Sequence, residues 1–148
     1  MLSYRNEEYL HEEKYRKSLV EMSESLLQAG KKVILVLQAP LPGAHIDKYL
    51  ESHLENLTSN IEGISVSRWN QIYGAKDKLV DELPGDVVVV NPADYFCTDV
   101  NCLVASNGQA WYFDDDHMSI AGATIVAEAL LPILDMKRTN FAQSEKID

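Results

Sequence analysis

Two segments of the chain are apolar at almost every position, and they predict strands rather than helices. They read VILVLQAP at residues 33–40 and DVVVVNP at residues 86–92, and each ends at a proline. A continuous apolar run of this length is typical of a strand that is buried on both faces of a parallel sheet. The sequence therefore predicts two buried, parallel strands at the centre of the protein.

Apolar residues recur at helical spacing in four other segments. The predicted helices are residues 5–29, 46–57, 68–82 and 119–134. Gly30 is expected to end the first of them, because glycine favours the position just after a helix. Ile64 and Val66 predict a brief extended segment, and residues 111–113 form a short apolar run.

The order of these elements, in which helices surround and separate the two strands, indicates an α/β fold. A doubly wound sheet normally has about five strands, whereas only two are convincing here. Either short segments near residues 64–66 and 110–113 join the sheet, or strands are missing, or a partner chain donates them. We expect a sheet that is incomplete on its N-terminal side.

Size and charge narrow the range of functions. The 148 residues suit one domain, which we expect over residues 1–134, followed by a polar, flexible tail at residues 135–148. The formal net charge of −10 argues against binding to nucleic acid or to anionic lipid. No apolar run reaches the roughly 18 residues of a transmembrane helix, and the charged N-terminus lacks the apolar region of a signal peptide.

The two cysteines, Cys97 and Cys102, lie close together in the sequence. A metal site would normally show two cysteines separated by two residues (CxxC) and a second pair of ligands, and the sequence offers neither. The spacing fits a local disulfide, with two reduced thiols as the other interpretation. A disulfide would place the protein in an oxidising compartment.

Asp114 and His117 stand three positions apart, just before the helix predicted to open at Ser119. On a tight turn this spacing lets a carboxylate reach the imidazole Nδ1, which fixes the tautomer and stabilises the imidazolium. The other ring nitrogen is then free to accept a proton from a serine hydroxyl. Asp115 is a second conceivable partner for the histidine. Aspartate-rich turns also cap helices, and metal binding is a third interpretation of these residue types.

The segment YFDDDHMSIAGA resembles the last conserved block of the SGNH hydrolase superfamily. More narrowly, it resembles the SGNH-like domain at the C-terminus of integral-membrane acyltransferases (acyltransferase type 3) that O-acetylate bacterial surface polysaccharides. The matching positions are Tyr112, Asp114, His117, Ser119, Gly122 and Ala123. The cysteine pair upstream and the two strands that end at proline fit the same family.

This resemblance implies a three-layer α/β/α sandwich with a mainly parallel, flavodoxin-like sheet. It implies that His117 is the general base and then the general acid of a Ser-His-Asp triad, and that Asp114 orients it. The implied substrate is an acylated polysaccharide, and no metal or organic cofactor is implied. The implied location is the periplasmic side of a bacterial inner membrane, downstream of a transmembrane acyltransferase portion, although this chain itself is expected to be soluble.

The family's Gly-Asp-Ser nucleophile block is missing from the sequence, because Gly85 and Asp86 are followed by Val87. Ser106 and Ser119 do not lie on the strand-to-helix turn that a nucleophile needs. We therefore expect this chain alone to be inactive and a serine from outside it to complete the triad. The alternative is a non-catalytic remnant that folds, with self-association, and binds a glycan or a partner protein.

Overall fold

The structure is a computed structural model, and it describes residues 12–144. The helices are α1 Glu13–Gln28, α2 Ile46–Glu51, α3 Val66–Tyr73, α4 Ala75–Glu82, α5 Ala93–Phe96 and α6 Ile120–Ser144, with a 3₁₀ turn at Leu54–Asn56. The strands are β1 Ile34–Val36, β2 Ile61–Ser65, β3 Val88–Val90, β4 Asn101–Ser106 and β5 Gln109–Ala110. This mixture confirms the predicted α/β class.

The two apolar runs form the parallel pair that the sequence predicted. Strand β1 lies beside β3 in register, so that Ile34 faces Val88 and Val36 faces Val90. Each strand is only three residues long, and this sheet has no third strand among residues 12–144. The prediction that both strands are buried on both faces is wrong, since the Val36 side chain is 40% exposed. Helices pack over the face that carries Leu35 and Val89, whereas the face that carries Val36 is partly exposed.

A second, antiparallel sheet has the strand order β2-β4-β5, and the sequence analysis did not predict it. Its β4–β5 turn contains Asn107 and Gly108, both with positive φ (54° and 75°). Asn-Gly is the preferred pair for a two-residue hairpin turn, so the sequence did contain a signal for this hairpin. The extended segment expected around residue 64 is strand β2, whereas Val66 already begins α3.

Two predicted helices are shorter or broken in the structure. The helix expected at residues 46–57 ends at Glu51, and Leu54 on the following 3₁₀ turn is 69% exposed rather than packed. The helix expected at residues 68–82 is two helices that meet at Gly74. A side chain at Gly74 would come within 2.6 Å of the Asn70 carbonyl oxygen, so this position requires glycine.

The first and last helices also differ from their predicted bounds. Helix α1 begins at Glu13, and the earlier part of the predicted helix lies outside the described residues. Helix α6 continues to Ser144, past the end predicted at residue 134. No helix within residues 12–144 is long and apolar enough to cross a membrane.

Two clusters of buried side chains form the core. One lies between the parallel sheet and helices α1, α3 and α4, and it includes Leu37, Trp69 and Leu79. The other includes Phe96 and Tyr112 and lies between the antiparallel sheet and α6. Cys97 contacts both clusters, and its disulfide to Cys102 joins the end of α5 to the start of β4. This agrees with the predicted disulfide.

Candidate active site

The loop between β5 and α6 carries the predicted catalytic pair, and backbone hydrogen bonds hold it closed. Tyr112 and Met118 form a β-bridge across the base of the loop. Inside it, the N–H of Phe113 donates to the carbonyl oxygen of His117 at 2.8 Å. The chain must therefore turn tightly through residues 114–116, which brings the side chains at the two ends of this segment together.

Tyr112 anchors this loop to the segment that follows β1. Its ring is 3% exposed and meets Phe96 edge-on, with ring centroids 5.9 Å apart. Its hydroxyl donates a hydrogen bond to the carbonyl oxygen of Pro40, a residue that follows β1. Burial of the phenol raises the pKa of Tyr112 well above its usual value, so the hydroxyl stays a donor.

The N-terminus of α6 fixes the other side of the loop. Ser119 precedes the first residue of the helix, and its Oγ donates to the carbonyl oxygen of Ala110 at 2.6 Å and accepts the N–H of Gly122 at 3.2 Å. A side chain at Gly122 would stand 2.1 Å from the carbonyl oxygen of Trp111. The helix therefore lies directly on the backbone of the loop, and only glycine permits this approach.

Asp114 and His117 make the contact that their spacing predicted. The Nδ1 atom of His117 lies 2.8 Å from Oδ2 of Asp114. The other oxygen of Asp114, Oδ1, accepts the backbone N–H groups of Asp116 (2.9 Å) and His117 (2.7 Å). The carboxylate is thus held by the turn itself, which sets its orientation toward the imidazole.

The same contacts determine the charge states of the pair. The two backbone hydrogen bonds, followed by the hydrogen bond and charge of His117, hold the pKa of Asp114 well below its usual range. The hydrogen bond and charge of Asp114 raise the pKa of His117 above its usual value, and the charge of Asp116 adds to this effect. Asp114 therefore stays ionised and stabilises the protonated imidazole.

The structure also distinguishes among the three consecutive aspartates. Oδ1 of Asp116 lies 2.8 Å from the same Nδ1 atom of His117, so this atom has two carboxylate neighbours. Sequence reasoning left the choice between Asp114 and Asp115 open and considered Asp116 only as a residue that caps the helix. Asp115 is exposed, and its charge has the smallest effect on the pKa of His117.

The ligand atoms of Asp114, Asp116 and His117 lie within 4.8 Å of one another, which is the spacing of a small metal site. The short contact of Nδ1 with a carboxylate oxygen is that of a ring N–H donor, and a donating nitrogen cannot ligate a metal. The geometry therefore fits a hydrogen-bonded acid–base pair better than it fits a cation site at Nδ1.

Within residues 12–144, no serine hydroxyl hydrogen-bonds to His117. Ser119 is occupied as the cap of α6, and Ser106 donates to Asn60 at 2.7 Å. The His117 side chain is 59% exposed, and its Nε2 makes no hydrogen bond to a described residue. The loop therefore presents an oriented imidazole whose second nitrogen is accessible.

An α/β domain in which the last loop presents an oriented Asp–His pair resembles the design of serine-type ester hydrolases and acyl transferases. Comparison with known families agrees, since the chain matches the family described as "SGNH domain (fused to AT3 domains)" over residues 2–132. The match covers most of the chain, and the protein belongs to this family. No curated protein and no solved structure matched significantly.

Proposed function

We propose that this chain supplies the Asp–His part of a Ser-His-Asp triad that transfers or hydrolyses acyl groups on an acylated surface polysaccharide. The observation that carries the proposal is the 2.8 Å contact between His117 Nδ1 and Asp114, which leaves Nε2 as the proton-accepting atom. Membership of the SGNH family supports the reaction class. The polysaccharide substrate follows from the resemblance to O-acetylating enzymes.

In this mechanism His117 moves one proton in each direction. Nε2 takes the proton of the serine hydroxyl while the serine oxygen attacks the ester carbonyl carbon, and it then donates that proton to the departing alcohol oxygen. The acyl group is left on the serine, and a second alcohol or water molecule removes it by the reverse sequence. Asp114 remains ionised throughout and stabilises the imidazolium at each step.

The serine comes, in this proposal, from a segment outside residues 12–144 whose strand pairs with β1. Parallel sheets are normally buried on both faces, whereas Val36 in β1 is 40% exposed and the sheet has only two described strands. An added parallel strand would pair with the other edge of β1, where no described strand lies, and would extend the sheet toward the mainly parallel, three-layer sandwich of the family. A second copy of the chain would be another source of a covering strand, though not of a Gly-Asp-Ser block.

We also propose that the protein works on the periplasmic side of a bacterial inner membrane, joined to a transmembrane acyltransferase portion. The Cys97–Cys102 disulfide supports an oxidising compartment. The fusion of this family to AT3 domains supports a membrane-bound parent.

The test is hydrolysis of a chromogenic acetyl ester by this chain and by the longest natural reading frame that contains it. We expect background rates for the chain alone and turnover for the longer protein. His117→Ala should abolish that turnover, whereas His45→Ala, which removes another exposed histidine beside an aspartate, should leave it unchanged. Turnover by the chain alone that depends on His117 would show that its nucleophile lies inside these 148 residues.

A second candidate function is a non-catalytic module that binds a glycan or a protein. The absence of Gly-Asp-Ser from the sequence favours it directly. The same assay separates the two functions, because a binding module stays inactive in its longest reading frame.

A further inference from the structure

Asp116 lies against the same imidazole nitrogen as Asp114, although only Asp114 belongs to the Asp–His pair of the candidate triad. Oδ2 of Asp114 and Oδ1 of Asp116 are each 2.8 Å from Nδ1 of His117. The two carboxylates are shielded from solvent to a similar degree, with side chains that are 24% and 23% exposed. The histidine is therefore held between two carboxylates rather than beside one.

The position of Asp116 does not follow from a role as a helix cap. Ser119 precedes the first residue of α6, and its Oγ accepts the N–H of Gly122 at 3.2 Å. The backbone of Asp116 has a different part in the turn, since its N–H donates to Oδ1 of Asp114 at 2.9 Å. This hydrogen bond helps to fix where residue 116 lies, and its side chain then reaches Nδ1 of His117. The turn that orients Asp114 thus also brings in the second carboxylate.

Two carboxylates that lie close together repel each other unless a positive group stands between them. Carboxylate oxygens of Asp114 and Asp116 lie within 4.8 Å of one another, and the ring of His117 supplies the positive charge when it is protonated. Its Nδ1–H donates to Oδ2 of Asp114, so Asp116 acts on the ring through its charge. The hydrogen bond and charge of Asp114 raise the pKa of His117 most, followed by the charge of Asp116 and then that of Asp115. All three aspartates lie on the histidine's own loop, and no charge from another described element contributes.

The exposure of the site explains why a second carboxylate matters. The His117 side chain is 59% exposed, so water weakens the attraction between the ring and either carboxylate. In a buried triad, one aspartate is sufficient to keep the proton on Nδ1 and to stabilise the imidazolium. In this exposed loop, a second carboxylate at the same distance offsets part of the loss to solvent.

We propose that Asp116 is a second positioning residue of the candidate triad, which together with Asp114 keeps a proton on Nδ1 of His117 and stabilises the imidazolium. Nε2 then stays free to accept the serine proton even when the hydrogen bond to Asp114 is lost. Asp116 contacts neither the serine nor the ester in this proposal and acts only through His117. The catalytic consequence rests on the proposed function, whereas the two contacts at Nδ1 do not.

The first test is an NMR titration of His117 in this chain, followed by its ring ¹⁵N shifts, which report both the pKa and the tautomer of the neutral ring. Asp116→Asn should lower the pKa of His117 more than Asp115→Asn does, because Asp115 is the neighbour with the smallest effect. Asp116→Ala removes the same charge and should act in the same direction, so the result does not depend on one replacement. Equal decreases in the Asp115 and Asp116 variants would overturn the proposal.

The tautomer gives a second, independent reading on the same chain. At a pH above the pKa, the ring of Asp114→Asn should still carry its proton mostly on Nδ1, because Asp116 remains beside that atom. In the double variant Asp114→Asn/Asp116→Asn, the proton should move toward Nε2. The same tautomer population in the single and double variants would contradict a role for Asp116 in positioning.

The second test is the pH profile of kcat/KM for the chromogenic acetyl ester in the longest natural reading frame. Asp116→Asn should move the acid limb of this profile to lower pH by the same amount as the pKa of His117 falls, whereas a purely structural defect would lower the rate without moving the limb. Loss of the aspartate costs about 10⁴-fold in kcat in a triad with one carboxylate. We expect Asp114→Asn to lose less than this and the double variant to reach it.

The two tests separate the failure of this proposal from the failure of the proposed function. An Asp114→Asn enzyme that is as slow as the double variant would overturn the role of Asp116 while leaving the triad in place. Absence of turnover in the longest reading frame would count against the proposed function, and the NMR comparison would still decide the role of Asp116, because it needs no nucleophile.

Discussion

Replacing Gly122 with alanine should destabilise the protein, although alanine is the better helix former. In the structure the added Cβ would lie 2.1 Å from the Trp111 carbonyl oxygen, 3.1 Å from its carbonyl carbon and 3.3 Å from its Cα. These are backbone atoms of the loop before the Asp–His pair, and, unlike a flexible side chain, they cannot relieve the clash by changing rotamer. To restore an ordinary contact of about 3.5 Å, α6 and the loop would have to separate by roughly 1.4 Å.

The magnitude follows from two opposing effects. Overpacking costs about 1–3 kcal/mol, and a clash with rigid backbone belongs at the upper end of that range. Alanine in place of glycine within a helix raises the free energy of unfolding by about 0.5–1 kcal/mol. The expected net loss is therefore about 2 kcal/mol, which corresponds to a fall in Tm of roughly 6–8 °C for a domain of this size.

The assay is thermal unfolding followed by circular dichroism, with Gly85→Ala as the matched control. Nothing lies within 4 Å of a Cβ at Gly85, so the same chemical change there should alter stability by less than about 0.5 kcal/mol. If the Gly122 variant melts within about 2 °C of this control, the close approach of α6 to the Trp111 backbone is not what holds the loop.

Tyr112→Phe should cost about 1–3 kcal/mol in urea unfolding, because it leaves the buried Pro40 carbonyl oxygen without its hydrogen bond; an unchanged midpoint would contradict this contact. Asp114→Asn should lower the pKa of His117 toward its usual value of about 6.5 in an NMR titration, and Asp115→Asn should lower it less. Equal decreases in the two variants would show that Asp114 is not the main partner of His117. The lowered pKa of Asp114 stabilises the folded protein above about pH 4, and this stability is lost as the pH falls through the folded-state pKa. The raised pKa of His117 stabilises the folded protein below about pH 6.5, and this stability is lost as the pH rises through the folded-state pKa. The difference in Tm between wild type and Asp114→Asn should therefore be largest near pH 5 and smaller at pH 9, and a difference that grows with pH would contradict the ion pair.

The local features of the candidate site were predictable because they depend on residues close in sequence. A tight turn with Asp and His three positions apart brings the two side chains together whatever surrounds it, and the structure shows the 2.8 Å contact. The disulfide between Cys97 and Cys102 closes a short loop and was predictable for the same reason. The second carboxylate, Asp116, was missed because its approach to Nδ1 depends on how the turn is closed by backbone hydrogen bonds.

Burial was predicted less well, because it depends on what lies across from a residue. The run at residues 33–40 correctly indicated a parallel strand, but the exposure of Val36 depends on what packs over its face of the sheet, and hydrophobicity alone does not report that. Leu54 fits a helical pattern, yet it is exposed because the helix ends at Glu51 and no element among the described residues buries the following turn.

By itself, the sequence indicated the α/β class and the parallel pairing of two strands, and it favoured a local disulfide and an Asp–His contact, with Asp114 or Asp115 as the partner of His117. Each of these depends on local spacing, on an apolar run or on the order of the elements. Only the tertiary structure decided that Tyr112 anchors the loop to Pro40, that α6 lies against the Trp111 backbone, and that the buried indole N–H of Trp69 has no hydrogen-bond partner among the described residues. These contacts join residues far apart in the chain, and their geometry is set by how whole elements pack, which no short segment encodes.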